Sequence, residues 1–134
     1  MSAKQFLDTN VLVYAFSTDP RSAVALRLLE QGCTISVQGL NEFTNIARTK
    51  LRMSWGETRD ALNALSVLCP NIVVAGFSTH RTALDIAERH GLAIFDAAMV
   101  ASALEAGCTR FWSEDMHHGL KIGGSLEIAN PFRS

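Results

Sequence analysis

Four acidic residues stand where a solvated surface would not put them. Asp8 follows Phe6-Leu7, and Glu42 is wedged between Leu40 and Phe43. Asp96 sits in Ile94-Phe95-Asp96-Ala97-Ala98, and Asp115 closes Phe111-Trp112-Ser113-Glu114-Asp115. Other acids, such as Glu30, Asp60, Asp85, Glu88 and Glu105, fall on polar helix faces or near helix ends. Each of the four has a local explanation. Asp8 could make a turn or cap the next segment, Asp96 could cap its helix, and Asp115 could be a turn residue. Glu42 is harder to place, because a carboxylate beside a core stripe costs desolvation unless it is paired. No comparable set of Lys or Arg lies in these segments to neutralise all four. Carboxylates that converge repel one another and raise each other's pKa. A hard divalent cation relieves that strain, and Mg²⁺ and Mn²⁺ prefer oxygen ligands. Such an ion suits phosphoryl chemistry: it can neutralise a phosphate, lower the pKa of a bound water and stabilise a leaving oxygen.

The elements that must position these acids are read from the rest of the chain. It has 134 residues, 48% of them apolar and 19% charged, which supplies a core and excludes disorder. The expectation is one domain over residues 1–134. With a formal net charge of −1, whole-molecule attraction to nucleic acid or an anionic membrane is not the driving force. A polyanion partner would therefore need a local basic patch or a bound metal. Cys33, Cys69 and Cys108 form no CxxC pair and read as buried reduced thiols, which suits a reducing compartment. No signal peptide is legible, and no run reaches the ~20 apolar residues of a membrane helix, so a cytoplasmic location is expected.

Residues 4–7 read as a short buried strand ending at Asp8. Residues 9–16 fit strand or helix by pattern alone. Asp19-Pro20 looks like a cap and first-turn proline, predicting a helix over 20–31 with Gly32 as its stop. A strand over 34–37 precedes a helix over 38–51, on which Leu40, Phe43, Ala47 and Leu51 form one stripe. Ser54-Trp55-Gly56-Glu57 is a capping box. A third strand covers 71–75, and Ser78 can cap a helix that Gly91 ends. A helix runs from about Asp96 to Ala106, a fourth strand covers 109–112, and 126–128 make a weak fifth. Strands alternating with helices predict an α/β fold, a parallel sheet with helices on both faces. Ligands in such sheets bind beyond the carboxyl ends of the strands.

Leu7-Asp8-Thr9-Asn10-Val11-Leu12 resembles the opening motif of PIN-domain ribonucleases, and Leu40-Asn41-Glu42-Phe43 resembles their second. Phe95-Asp96-Ala97-Ala98 with Ala101 and Gly107 resembles the third. Trp112-Ser113-Glu114-Asp115, Gly119 and Asn130-Pro131-Phe132 resemble the closing segment of the VapC-like toxins of toxin–antitoxin pairs. Each motif alone is weak, and the ordered set is specific. The resemblance implies a three-layer α/β/α sandwich and Mg²⁺- or Mn²⁺-dependent endonucleolytic cleavage of RNA. It also implies a homodimer and a small antitoxin protein whose tail enters the site. Asp8, Glu42, Asp96 and Asp115 match the family's acidic positions. On that basis Asp8, Glu42 and Asp96 form the main metal cage, and Asp115 completes it or holds a second ion. Thr9, Asn10 and Ser113 would orient the carboxylates or metal-bound water. Met116-His117-His118 departs from many relatives.

Weaker signals remain. Arg48, Lys50 and Arg52, with Arg59 beyond, make a short basic run that could contact RNA phosphates or simply complement a helix end. His117 and His118 read as surface loop. Asp8-Thr9-Asn10 lacks the second Asp that aspartyl phosphatases generally carry there. The rival readings are another Mg²⁺-dependent phosphohydrolase and a non-catalytic RNA-binding or scaffolding module.

Overall fold

A computed structural model describes residues 4–133. Its strands are β1 (Gln5–Leu7), β2 (Thr34–Ser36), β3 (Asn71–Val73), β4 (Arg110–Trp112), β5 (Lys121–Ile122) and β6 (Leu126–Ala129). Its helices are α1 (Thr9–Ala15), α2 (Ser22–Glu30), α3 (Val37–Thr49), α4 (Trp55–Leu68), α5 (Phe77–His90) and α6 (Ile94–Glu105). The sheet order is β3-β2-β1-β4-β6-β5, parallel throughout except for the β5–β6 pair.

Period-two alternation sends neighbouring residues of each strand to opposite faces. Phe6, Phe111 and Ile128 pack on one side with the apolar faces of α5 and α6. Their two phenyl rings stack at 5.1 Å between centroids. Leu7 and Ile35 pack on the other side with Val11, Leu12, Leu29, Phe43 and Leu65 from α1 to α4. The result is the α/β class and layered arrangement expected from the sequence.

Several boundaries differ from the expectation, each for a local reason. Residues 9–15 are helical because Asp8 ends β1 and caps α1, accepting from the Thr9 N–H at 2.7 Å. Asp19 does not cap α2. Its carboxylate turns back onto the Arg21 N–H and guanidinium, so the helix starts at Ser22. Val37 belongs to α3, because the Ser36 hydroxyl accepts from the Gly39 N–H and starts the helix there. Ser78 lies inside α5, since the Thr79 hydroxyl accepts from the Gly76 N–H and moves the start forward. Helix α6 begins at Ile94, so Asp96 stands in its first turn rather than at its cap. The unforeseen β5 returns through Gly123-Gly124, both at positive φ (63° and 77°), a hairpin turn that glycine alone makes without strain.

Leaving β1, the chain places β2 and then β3 to one side, and later returns to place β4 and β6 on the other. The connections reverse between β1 and β4. In open parallel sheets that reversal opens a crevice beyond the strands' carboxyl ends. The backbone beyond β1 and β4 is joined there, with the Asp8 N–H donating to the Trp112 carbonyl at 3.0 Å.

Candidate active site

The crevice is built by four separate segments. Asp8 emerges from β1, Ser113 and Asp115 from β4, Glu42 from the second turn of α3, and Asp96 from the first turn of α6. Asp8 is buried, and each of its two oxygens accepts one hydrogen bond. Oδ1 accepts from the Thr9 N–H, and Oδ2 accepts from the Ser113 hydroxyl at 2.7 Å. The same Ser113 oxygen accepts from the Asp115 N–H at 3.2 Å, linking the two acids through one hydroxyl. The Asn10 amide donates to Asp115 Oδ2 at 2.9 Å, and its carbonyl oxygen accepts from the Glu114 N–H. The Thr9 hydroxyl donates to Glu42 Oε1 at 2.8 Å, while the Gln38 amide donates to Oε2 at 3.1 Å. Glu42 therefore offsets its partial burial with two neutral donors rather than a cation.

Electrostatics couple all four. Burial is the largest influence on Asp8 and pushes its carboxyl up to about 6. The Ser113 hydroxyl and Thr9 N–H pull it down, and the charges of Asp96 and Asp115 add to the rise. Asp96 is also raised, first by burial, then by Asp115 and Glu42. Among the described residues the ion pairs are Arg21–Asp19, Arg21–Glu114 and Arg110–Glu127, and none touches the four acids. Also among the described residues, no three His, Cys, Asp or Glu side chains are gathered into a closed ligand set. The donor chemistry nonetheless fits a hard divalent cation. It consists of carboxylate oxygens, those of Asp8 and Asp96 with raised proton affinity, set among hydroxyl and amide donors and paired to none of the described Lys or Arg.

The other residues singled out in the sequence lie elsewhere. The Arg48 guanidinium donates to the Met53 carbonyl at 2.7 Å and stacks on the Trp55 ring, closing the turn between α3 and α4. Lys50 and Arg52 are exposed beyond the end of α3. They sit eight and ten residues past Glu42 in the chain, after the helix has ended. His118 is tied to the segment after β6, its Nδ1 accepting from the Asn130 N–H. Cys33, Cys69 and Cys108 are buried and form no disulfide.

Three supporting residues escaped sequence reasoning. Gln38 holds Glu42 from one turn away, a spacing of four residues that could have revealed it. Tyr14 and Arg21 grip Glu114. The Tyr14 hydroxyl donates to Oε1 at 2.6 Å and Arg21 pairs with Oε2 at 2.7 Å. That grip anchors the loop carrying Asp115, and no local pattern announces a contact across 100 residues.

The PIN domain family profile matches residues 6–119. The chain belongs to the PIN domain family. Among solved structures it is similar to a toxin–antitoxin complex from Klebsiella pneumoniae. The TM-score is 0.75 at 20% identity, covering 97% of this chain and 99% of that one. It is also similar to Mycobacterium tuberculosis VapC20, a sarcin–ricin loop cleaving toxin. There the TM-score is 0.64 at 18% identity, over 83% of this chain and 91% of that one. At such identities the likeness is one of fold. No curated protein matches the chain. Among the described residues of this PIN domain, no helix is long and apolar enough to cross a membrane.

Proposed function

We propose that this PIN domain is a Mg²⁺- or Mn²⁺-dependent endoribonuclease and the toxin of a toxin–antitoxin pair. The observation that carries the reading is the hydrogen-bonded chain Asp115–Ser113–Asp8 at the sheet's switch point, with Glu42 and Asp96 coupled to it and no described Lys or Arg paired with any of the four acids. Asp8, Glu42 and Asp96 would hold the ion, with Asp115 completing the set. A divalent ion held there supplies positive charge for a phosphate oxygen and acidifies a bound water. The chain's own part is orientation. Thr9 N–H and Ser113 fix the Asp8 carboxylate, Thr9 Oγ1 and Gln38 fix Glu42, and Asn10 fixes Asp115. Asp8 must release its proton before it can ligate, so metal affinity should rise with pH through about 6.

RNA is the substrate because the family's acidic motifs are all present, and exposed Lys50 and Arg52 offer phosphate contacts. Arg48 contributes less, its guanidinium being engaged with Met53 and Trp55. The toxin reading draws on the two similar structures, one a toxin–antitoxin complex and one a toxin. A small antitoxin partner, a homodimer, a cytoplasmic location and one domain over 1–134 belong to the same proposal. The test is purified Asp8→Asn and Asp96→Asn on RNA with Mg²⁺ or Mn²⁺. Full cleavage by either variant would sink the assignment.

A further inference from the structure

Glu42 also lies in the wall of a larger depression. A cavity of about 750 Å³ opens beside Glu42, between the start of α3, the segment joining β3 to α5, and the start of α6. Glu42 and Gln38 belong to both the cavity wall and the acid cluster. The Gln38 amide also reaches the Phe95 carbonyl at 3.4 Å, tying the two rims together. On the α6 rim, Phe95 is 71% exposed, one residue before Asp96. A large aromatic left in water forgoes the stabilisation that burial would bring, so packing of the fold does not account for it. Asn41 lines the same cavity one residue before Glu42. Its side chain is exposed and has no partner among the described residues.

We infer that this cavity is a nucleobase subsite, in which the base next to the cleaved phosphate stacks on Phe95 and presents its edge to Asn41. The inference rests on the ribonuclease reading and extends it to substrate selection. The cavity falls in the range of small-molecule sites, ample for one nucleoside. Among the described residues no Lys or Arg lines it, so it suits a base and not the phosphate backbone. An aromatic face accepts any base by stacking, whereas an amide offers both a donor and an acceptor and can discriminate among base edges. Glu42 belongs to the cavity wall and is tied through Thr9 to the acid cluster, which puts the subsite beside the chemistry. The apolar rim extends to Val74 and Phe77, each 75% exposed, so a covering protein is the competing occupant.

The test uses short RNAs spanning a mapped cleavage site, intact or with a single abasic nucleotide on the 5′ or 3′ side of the cut, with Mn²⁺. One of the two abasic RNAs should lower wild-type kcat/KM about tenfold, the scale of one base–aromatic stack. Phe95→Ala should lose a similar factor on intact RNA and nothing more on that abasic RNA, while Phe95→Tyr restores the rate. Asn41→Ala should flatten the preference among the four bases at that position. The subsite is overturned if Phe95→Ala cleaves intact RNA like wild type, or if the two losses multiply. It is equally overturned if Phe95→Ala changes sedimentation without any base-dependent effect, the mark of a protein covering the rim. Failure of wild type to cleave any RNA would instead overturn the ribonuclease reading, and the subsite with it.

Discussion

Glu114 and Asp115 are neighbours in the chain and end in opposite surroundings. Glu114 faces α1 and α2, where Arg21 and Tyr14 both bind it, and Arg21 is itself braced by Asp19 at 2.8 Å. The Tyr14 ring packs under the Arg21 guanidinium and edge-on to Phe132. Both carboxylates of that network share the one Arg21 guanidinium. The Arg21 contacts hold Asp19 at about 2, and the bond to Glu114 holds the Tyr14 hydroxyl up at about 12. Asp115 faces the other way, toward Asp8, Glu42 and Asp96, where the donors are neutral groups. The first region is complete as folded, and it sets the loop's position. The second is strained by its own charge, and that residual charge is what a metal ion would meet.

Substitutions can break this contrast. The largest effect is expected from Asp8→Asn, which should lower metal-dependent RNA cleavage by at least about 100-fold, since even supporting partners of a ligand cost 10–100-fold. The same variant should be more stable than wild type in EDTA at pH 7. Burial raises the Asp8 carboxyl from 3.8 to about 6. Each pKa unit is about 1.4 kcal/mol, so ionised Asp8 costs the folded state up to about 3 kcal/mol. Thermal melting should show a Tm rise of up to about 10 °C. A lower Tm would mean that the cap and the Ser113 bond outweigh the buried charge.

Ser113→Ala should come next, with cleavage reduced about 10- to 100-fold. The Ser113 hydroxyl lowers the Asp8 carboxyl, so removing it should also move the acid limb of the pH–rate profile upward. A rate loss without that movement would make Ser113 a packing residue only. The titration itself can be followed through stability. Between pH 3.8 and about 6 the folded chain keeps a proton on Asp8 that the unfolded chain has released. This contribution is therefore fully present at low pH and is lost as pH rises through about 6. The difference in unfolding free energy between wild type and Asp8→Asn, measured in EDTA, should trace that curve.

The ion-paired region should respond differently. Tyr14→Phe removes one hydrogen bond to Glu114 and should cost about 1 kcal/mol, equally with and without Mn²⁺. A metal-dependent cost would join the two regions into one unit. The smallest effect is expected from Lys50→Gln with Arg52→Gln. The pair should reduce the slope of log K for RNA against log salt by about 2 and leave Tm nearly unchanged. Arg48→Ala should do the reverse, lowering Tm through lost contacts to Met53 and Trp55 while hardly changing the slope.

Much of this molecule is legible one segment at a time. The Ser54–Glu57 capping box, the left-handed stop at Gly91 and the alternation that turns Phe6 and Leu7 to opposite faces are local phenomena, and local residues specify them. The acids at 8, 42, 96 and 115 are conspicuous for the same reason, since each lies beside or within an apolar stretch. Short-range pattern also misled where two local options compete. Asp19 could cap a helix or bind Arg21, and a two-toothed contact with a guanidinium prevailed. Likewise, the helix of Asp96 starts two residues earlier than its acid suggests, leaving that carboxylate free of a capping role.

The order of residues was enough to say which groups carry charge, which strand ends and helix turns bear them, and that the fold is a layered α/β sheet. Their partners were settled by folding. Whether Glu114 or Asp115 meets a cation, and which hydroxyl steadies Asp8, depends on bringing residues about a hundred positions apart into contact. The difference is one of range. Capping and periodicity act over a few residues, whereas burial and charge interactions act through space and exist only once the β1–β4 pairing has closed the crevice.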